Sequence, residues 1–172
     1  FFIIPLLLLA SCSSPSYPKA KPPPLISFSH LQPYVIQGGV VQIEQSYISD
    51  ERTLEASKGF ESTPAEFLKR YAQERFKTYG GAPKLIFDIA NASLIKTSQE
   101  TDPLLFMMGA TQDYFVLEIL INLFPVLHNG KRAEPYTIFY KRKLVLSSNM
   151  ALAERDYRRF EFYEKMINDI DH

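Results

Sequence analysis

The sequence of 172 residues holds a single cysteine, which excludes an internal disulfide framework. Its three histidines, His30, His128 and His172, are too scattered to supply the first shell of a metal site. Stability must therefore come from a hydrophobic core. There is no excess of either charge, with 19 Lys and Arg against 19 Asp and Glu, and a pI near 7 removes the strongly basic profile of a nucleic-acid binder. No glycine-rich phosphate loop, no Gly-x-Ser-x-Gly elbow and no His-Glu-x-x-His occurs, and Gly38-Gly39 and Gly80-Gly81 are isolated doublets. Glu44, Asp88 and Glu118 fall in strand-like stretches, where paired carboxylates would suit acid–base work and the polar faces of half-buried strands are the plainer reading. His128 lies beside a turn and reads as a loop residue. The expectation is a protein without enzymatic activity, cofactor or metal.

What is present begins with an address. Phe1 to Ala10 form an uncharged apolar run, long enough for the core of a signal peptide and about half of what a spanning helix needs. The tetrad Leu9-Ala10-Ser11-Cys12 that closes it resembles the lipobox of bacterial lipoproteins, in which the signal is cut before a cysteine that carries the lipid. The resemblance implies a signal peptide over 1–11 and lipidation of Cys12. The run lacks an initiator Met and the usual preceding Lys or Arg, which points to a sequence that begins after its natural start. The alternative is a buried apolar strand or short anchor helix with a coincidental cysteine, but Cys12 is followed by Ser-Ser-Pro-Ser-Tyr-Pro, which offers nothing to bury it. Ser13 stands where enteric bacteria use Asp to retain lipoproteins at the inner membrane, so the resemblance implies a lipid anchor in the outer membrane with the domain facing the periplasm.

From Ser13 to Tyr34 six residues are proline, a composition that favours extended geometry and reads as a tether over 12–34 with a reach of roughly 60 to 70 Å. One folded domain is expected over 35–172. Val41, Ile43 and Tyr47 alternate as a first strand, and residues 49–62, charged and small without period, read as a loop. Thr63-Pro64-Ala65-Glu66 then combines an N-cap, a proline at the first helical position and a Glu three residues after the cap. Leu68, Tyr71, Ala72, Phe76 and Tyr79 continue at helical steps to Gly80-Gly81, predicting a helix of about four turns with Lys69, Arg70, Glu74, Arg75 and Lys77 on a solvated face. Strands follow from Leu85, Phe87 and Ile89, and from Phe115, Leu117, Ile119, Ile121 and Leu123. Asn129-Gly130 marks a hairpin, with Pro125 and Pro135 limiting its pairing, and Tyr136 to Leu146 supply the return strand. Phe160, Tyr163, Ile167 and Ile170 give a last helix that runs to the end of the chain without a cap. The order β-α-β-β-β-α predicts an α+β fold, a two-layer sandwich in which a mainly antiparallel four-stranded sheet carries two helices on one face.

Two stretches are candidates for binding. The apolar run Leu104, Leu105, Phe106, Met107 and Met108 lies between Pro103 and Gly109, either as an exposed adhesive tip or folded back onto the core. Lys131, Arg132, Lys141, Arg142 and Lys143 gather positive charge on the last hairpin, suited to anionic headgroups or lipopolysaccharide phosphates, or simply guarding an edge strand. With its lipobox, proline-rich spacer, element order and final helix opened by Glu154-Arg155-Asp156-Tyr157, the chain resembles small proteobacterial envelope lipoproteins. The likeness is to the lipopolysaccharide-assembly lipoproteins and the auxiliary lipoproteins of lipid-transport ABC systems. That resemblance implies a membrane-anchored, non-enzymatic binding or assembly partner of a barrel or transporter in envelope lipid transport. The second expectation is a periplasmic lipid-binding carrier module.

Overall fold

The computed structural model describes residues 25–99 and 111–171. Its centre is a four-stranded mixed sheet in the order β2 (Val40–Gln45), β4 (Pro83–Gln99), β5 (Gln112–Pro125), β6 (Tyr136–Ser147). β4, β5 and β6 run antiparallel, while β2 runs parallel to β4. A parallel neighbour requires a crossover, and two helices supply it: α1 (Glu51–Ala56) and α2 (Pro64–Arg75). Both pack on the same face of the sheet as α3 (Leu152–Asp171), so the fold is an α+β two-layer sandwich with three described helices where the sequence predicted two.

The additional helix is α1, in the stretch expected to be a loop. Asp50 caps it by accepting a hydrogen bond from the Thr53 backbone N–H at 2.8 Å, and Thr53 is itself buried. The Thr53 hydroxyl meets the Tyr47 hydroxyl at 3.0 Å and accepts from the Leu94 backbone N–H at 3.3 Å, which ties this single turn and a half of helix to the sheet. Tertiary partners stabilise a segment too short to show a period.

α2 starts as its sequence dictates. The Thr63 side chain accepts from the Glu66 N–H at 3.3 Å, the Glu66 carboxylate accepts from the Thr63 N–H at 3.1 Å, and Pro64 occupies the first turn. It ends one turn before the glycines. Phe76 already has an extended backbone, and β3 (Phe76–Thr78) pairs in parallel with β1 (Tyr34–Ile36), a strand that starts at the last residue of the expected tether.

Each parallel pair turns into the next at a glycine doublet. Gly38-Gly39 separates β1 from β2 and Gly80-Gly81 separates β3 from β4, so the doublets that looked isolated lie against each other. Gly81 has φ +101°, and a Cβ there would sit 2.9 Å from the Gly38 carbonyl oxygen.

Alternation along β4 is interrupted once. Ile89 pairs with Ile121 and Asn91 with Leu120, leaving Ala90 as a bulge. Phe87 and Ile89 therefore face the helices before it, and Ala92 and Leu94 face them after it, all buried. On β5 the residues Phe115, Leu117, Ile119 and Ile121 are buried as their alternation predicted. The helices meet this surface with Phe67, Leu68 and Tyr71 of α2 and with Phe162, Tyr163, Met166 and Ile167 of α3. Phe60, between α1 and α2, packs its ring against Phe115 at 5.3 Å and Tyr163 at 5.2 Å.

The packed chain begins nine residues ahead of the boundary expected at 35. Ile26 and Phe28 belong to the core, and Phe28 sets its ring edge-on to Phe67 and Tyr71. The backbone N–H groups of this strap donate to carboxylates, Ile26 to Glu61 at 3.1 Å and Phe28 to Glu74 at 3.2 Å. Arg70, predicted to be solvated, lies over the Phe67 ring and pairs with Glu61.

Arg75, also predicted to be solvated, is buried. Its guanidinium donates to both oxygens of Asp171 at 2.7 and 2.6 Å and lies 4.3 Å from the centre of the Tyr34 ring. Tyr71 donates to the same carboxylate at 2.5 Å and Tyr34 at 3.2 Å, so one side chain of α3 holds α2 and β1. Burial pushes both phenols up, and the negative Asp171 beside them adds to it. Burial alone raises the Asp171 carboxyl, but its hydrogen bonds from Arg75 and Tyr71 and the Arg75 charge leave it below the ordinary value.

Two stability tests follow from these contacts. Gly81→Ala is expected to cost about 2 to 3 kcal/mol in urea unfolding, from the positive φ and the clash together, whereas Gly80→Ala, with open space for its methyl, costs about 1 kcal/mol. Equal losses would refute the back-to-back glycine contact. Asp171→Asn leaves the buried Arg75 without a counter-charge and is expected to cost about 2 to 3 kcal/mol at neutral pH. The contribution of the Asp171 charge is fully present above its ordinary value of 3.8 and is lost as pH falls through the lower folded value. The gap between wild type and Asp171→Asn in a pH series of unfolding curves should therefore narrow below that value, and a constant gap would contradict the assignment.

Candidate binding face

The three helices leave one face of the sheet uncovered among the described residues. Registered cross-strand rows define this face from β4 through β5 to β6. Thr97, Tyr114 and Val145 form one row; Ile95, Val116 and Lys143 the next; then Ser93, Glu118 and Lys141; then Asn91, Leu120 and Phe139. Apolar rows thus flank a charged one. Phe139 is 64% exposed, Ile95 43% and Val145 42%, an unusual grouping for residues of this size on neighbouring strands. The charged row is internally compensated, because Lys141 meets Glu118 at 2.5 Å. Lys143 lies 4.2 Å from the centre of the Tyr114 ring.

The other end of this face is partly closed by the chain itself. Beyond Pro125 the hairpin continues through a Val126–Arg132 bridge, and Gly130, with φ +75°, makes the turn that Asn129-Gly130 announced. Val126 donates to the Lys84 carbonyl at 2.9 Å, which draws the tip across β4 toward β2. There Arg132 forms two bonds to Glu44 at 2.9 and 3.0 Å and lies over the Phe124 ring. Ile86 and Asp88, both on this face, are consequently buried.

The five cations expected to act together are divided by the fold. Lys131 and Arg132 sit at the hairpin tip, and Lys141 and Lys143 lie on the open face of β6. Arg142 points the other way and pairs with Asp169 of α3 at 2.8 Å, because adjacent residues of a strand project to opposite faces. Tyr140 joins that contact, donating to Asp169 at 3.0 Å and accepting from Arg142 at 3.1 Å. Burial pushes its phenol up, and the bonds to Arg142 and Asp169 act in opposite directions. Among the described residues three of the five cations, Arg132, Lys141 and Arg142, have a carboxylate partner.

The strand carboxylates are also separated. Glu44 and Asp88 are register partners across β2 and β4, whereas Glu118 lies four residues along β5 from the partner of Asp88. Glu44 is held by Arg132, Glu118 by Lys141, and Asp88 accepts from the Ser46 backbone N–H at 3.1 Å. The three do not converge. His128 lies in the hairpin tip, as its turn context indicated. Cys12 and the apolar run Leu104, Leu105, Phe106, Met107 and Met108 lie outside the described residues.

Sequence reasoning followed the inward face of each strand and missed the outward one. Its signal was present in the complementary positions, where Val116, Leu120, Phe139 and Val145 occur instead of polar residues. No helix among the described residues is long and apolar enough to cross a membrane. No protein-family model matches the chain, and no curated protein matches it in sequence.

Proposed function

We propose that the chain is a lipid-anchored envelope lipoprotein whose folded domain is a non-enzymatic docking partner in envelope lipid or lipopolysaccharide transport. In this reading it is held at the outer membrane and faces the periplasm. The observation that carries it is the one-sided sheet: three helices cover one face, and the other presents Ile95, Val116, Leu120, Phe139 and Val145 around a compensated Glu118–Lys141 pair. A surface of this composition suits a protein partner, such as a barrel wall or a transporter subunit, better than anionic headgroups. Headgroup attraction is worth about 1 kcal/mol per cation near the surface, and most cations of the hairpin are already neutralised by carboxylates.

The lipobox-like tetrad supports the anchor, and the early start of packing sets its length. Between Cys12 and the first core residue, Ile26, the chain can reach about 40 Å in extended form, shorter than the proline count implied. Ile26, where the packed domain begins, is then held within that distance of the bilayer.

Cys12→Ala is expected to move the protein from the membrane pellet to the soluble fraction, since two or more acyl chains are what make such an anchor firm. Retention in the pellet after a high-salt wash would argue against the anchor. Mild crosslinking of the lipidated protein in its native envelope should recover a barrel or transporter subunit in stoichiometric amount. Phe139→Asp, at a position exposed enough to leave the melting temperature within a few degrees, should abolish that recovery. Undiminished recovery with the variant would remove the open face from the reading.

A further inference from the structure

The two outer strands of the sheet are unlike. β2 is six residues long, its register with β4 shifts between Val40 and Val41, and the hairpin tip reaches it through Arg132 and Glu44. β6 is twelve residues long, pairs with β5 in one unbroken register from Tyr136 to Ser147, and contains no proline. Among the described residues the backbone of 136–146 makes no hydrogen bond outside that ladder. Alternate N–H and C=O groups therefore line an unpaired edge about 40 Å long.

The side chains along this edge restrict what can pair with it. On the open face an added strand would lie beside Phe139, Lys141, Lys143 and Val145, apolar at the ends and cationic at the centre. Lys143 has no carboxylate partner among the described residues, and Lys141 has only Glu118. On the helix side the strand would cover Ile138, Tyr140 and Leu144, which are half-buried, while Arg142 is already held by Asp169. A second copy of this chain fits poorly. Antiparallel pairing of two β6 strands near full overlap, with their open faces on one side, sets Lys141 against Lys141, or Arg142 against Arg142 and Lys141 against Lys143.

We infer that the β6 edge takes up an extended segment of a partner protein as a fifth strand, with the segment's open-face side chains apolar at its ends and acidic at its centre. Main-chain hydrogen bonds supply the pairing, and carboxylates beside Lys141 and Lys143 supply the selection. The inference rests on the docking reading and names the partner's chemistry. It concerns the strand edge rather than the sheet face, so peptide binding can fail while capture through the face in the envelope succeeds.

Fluorescence anisotropy of the full-length Cys12→Ala chain with a dye-labelled peptide tests it. The peptide is Thr-Val-Thr-Glu-Thr-Glu-Thr-Val-Thr with blocked ends, whose Val and Glu residues match the four open-face positions. Saturable binding is expected, at least tenfold weaker when both Glu are replaced by Lys. N-methylation of every second amide is expected to abolish binding in one phase and to spare it in the other, because successive N–H groups of a strand point to opposite edges. Lys143→Glu, on an exposed position, is expected to abolish the preference for the Glu peptide while the melting temperature stays within a few degrees of that of the parent chain. Absence of saturable binding, equal affinity for the Lys peptide, survival of binding in both methylated peptides, or an unchanged preference in folded Lys143→Glu would overturn the inference. A dimer of the chain that the peptide dissociates would overturn it too, by making a second copy the occupant.

Discussion

A strand of seventeen residues that must keep apolar side chains against one helix layer depends on the phase of its alternation, and β4 resets that phase with the bulge at Ala90. Without it Asn91 and Ser93 would turn toward the core, and Ala92 and Leu94 toward solvent. Because β4 is the strand on which α1 and α2 pack and to which β2 and β5 both pair, its register governs both faces. The inner face becomes continuous from Phe87 to Leu94. The outer face becomes the set of rows on which Ile95, Val116, Leu120 and Phe139 meet.

A second constraint closes the layer of helices. Asp171 collects hydrogen bonds from α2 and β1, and the guanidinium of Arg75 lies between that carboxylate and the Tyr34 ring. Burying a charge is costly unless it is paired, and here the Asp171 carboxylate accepts from two phenols and from one guanidinium nitrogen of Arg75, whose buried Nε and Nη1 have no hydrogen-bond partner among the described residues. The same packing fixes the strap, whose backbone is held by Glu61 and Glu74 while Phe28 enters the aromatic cluster. The chain is therefore bound into the domain from Ile26 onward.

The sheet's open face carries exposed apolar rows around a neutralised ion pair, which in the proposed reading suits a protein surface. The tip of the last hairpin separates the open face from the β2 edge through Arg132 and Glu44, so that only its β4–β6 end remains available.

The sequence by itself determined the elements whose period or capping is local. The capping box at Thr63, the Asn129-Gly130 turn, the alternation of β5 and the stripe of α3 all correspond to structure, and together they determine a mainly antiparallel sheet under helices. Interactions between distant residues decided the rest. Whether Arg75 meets water or Asp171 depends on a partner ninety-six positions along the chain, and whether Gly38 and Gly81 are isolated or in contact depends on the parallel pairing of the strands they interrupt. The five cations looked like one cluster because sequence distance hides which face a strand residue takes and how far a hairpin tip travels. Local patterns report a residue's preference for burial, but only the tertiary structure supplies the partner, since the contact that satisfies a charge or covers an apolar face is made by residues the local pattern does not contain.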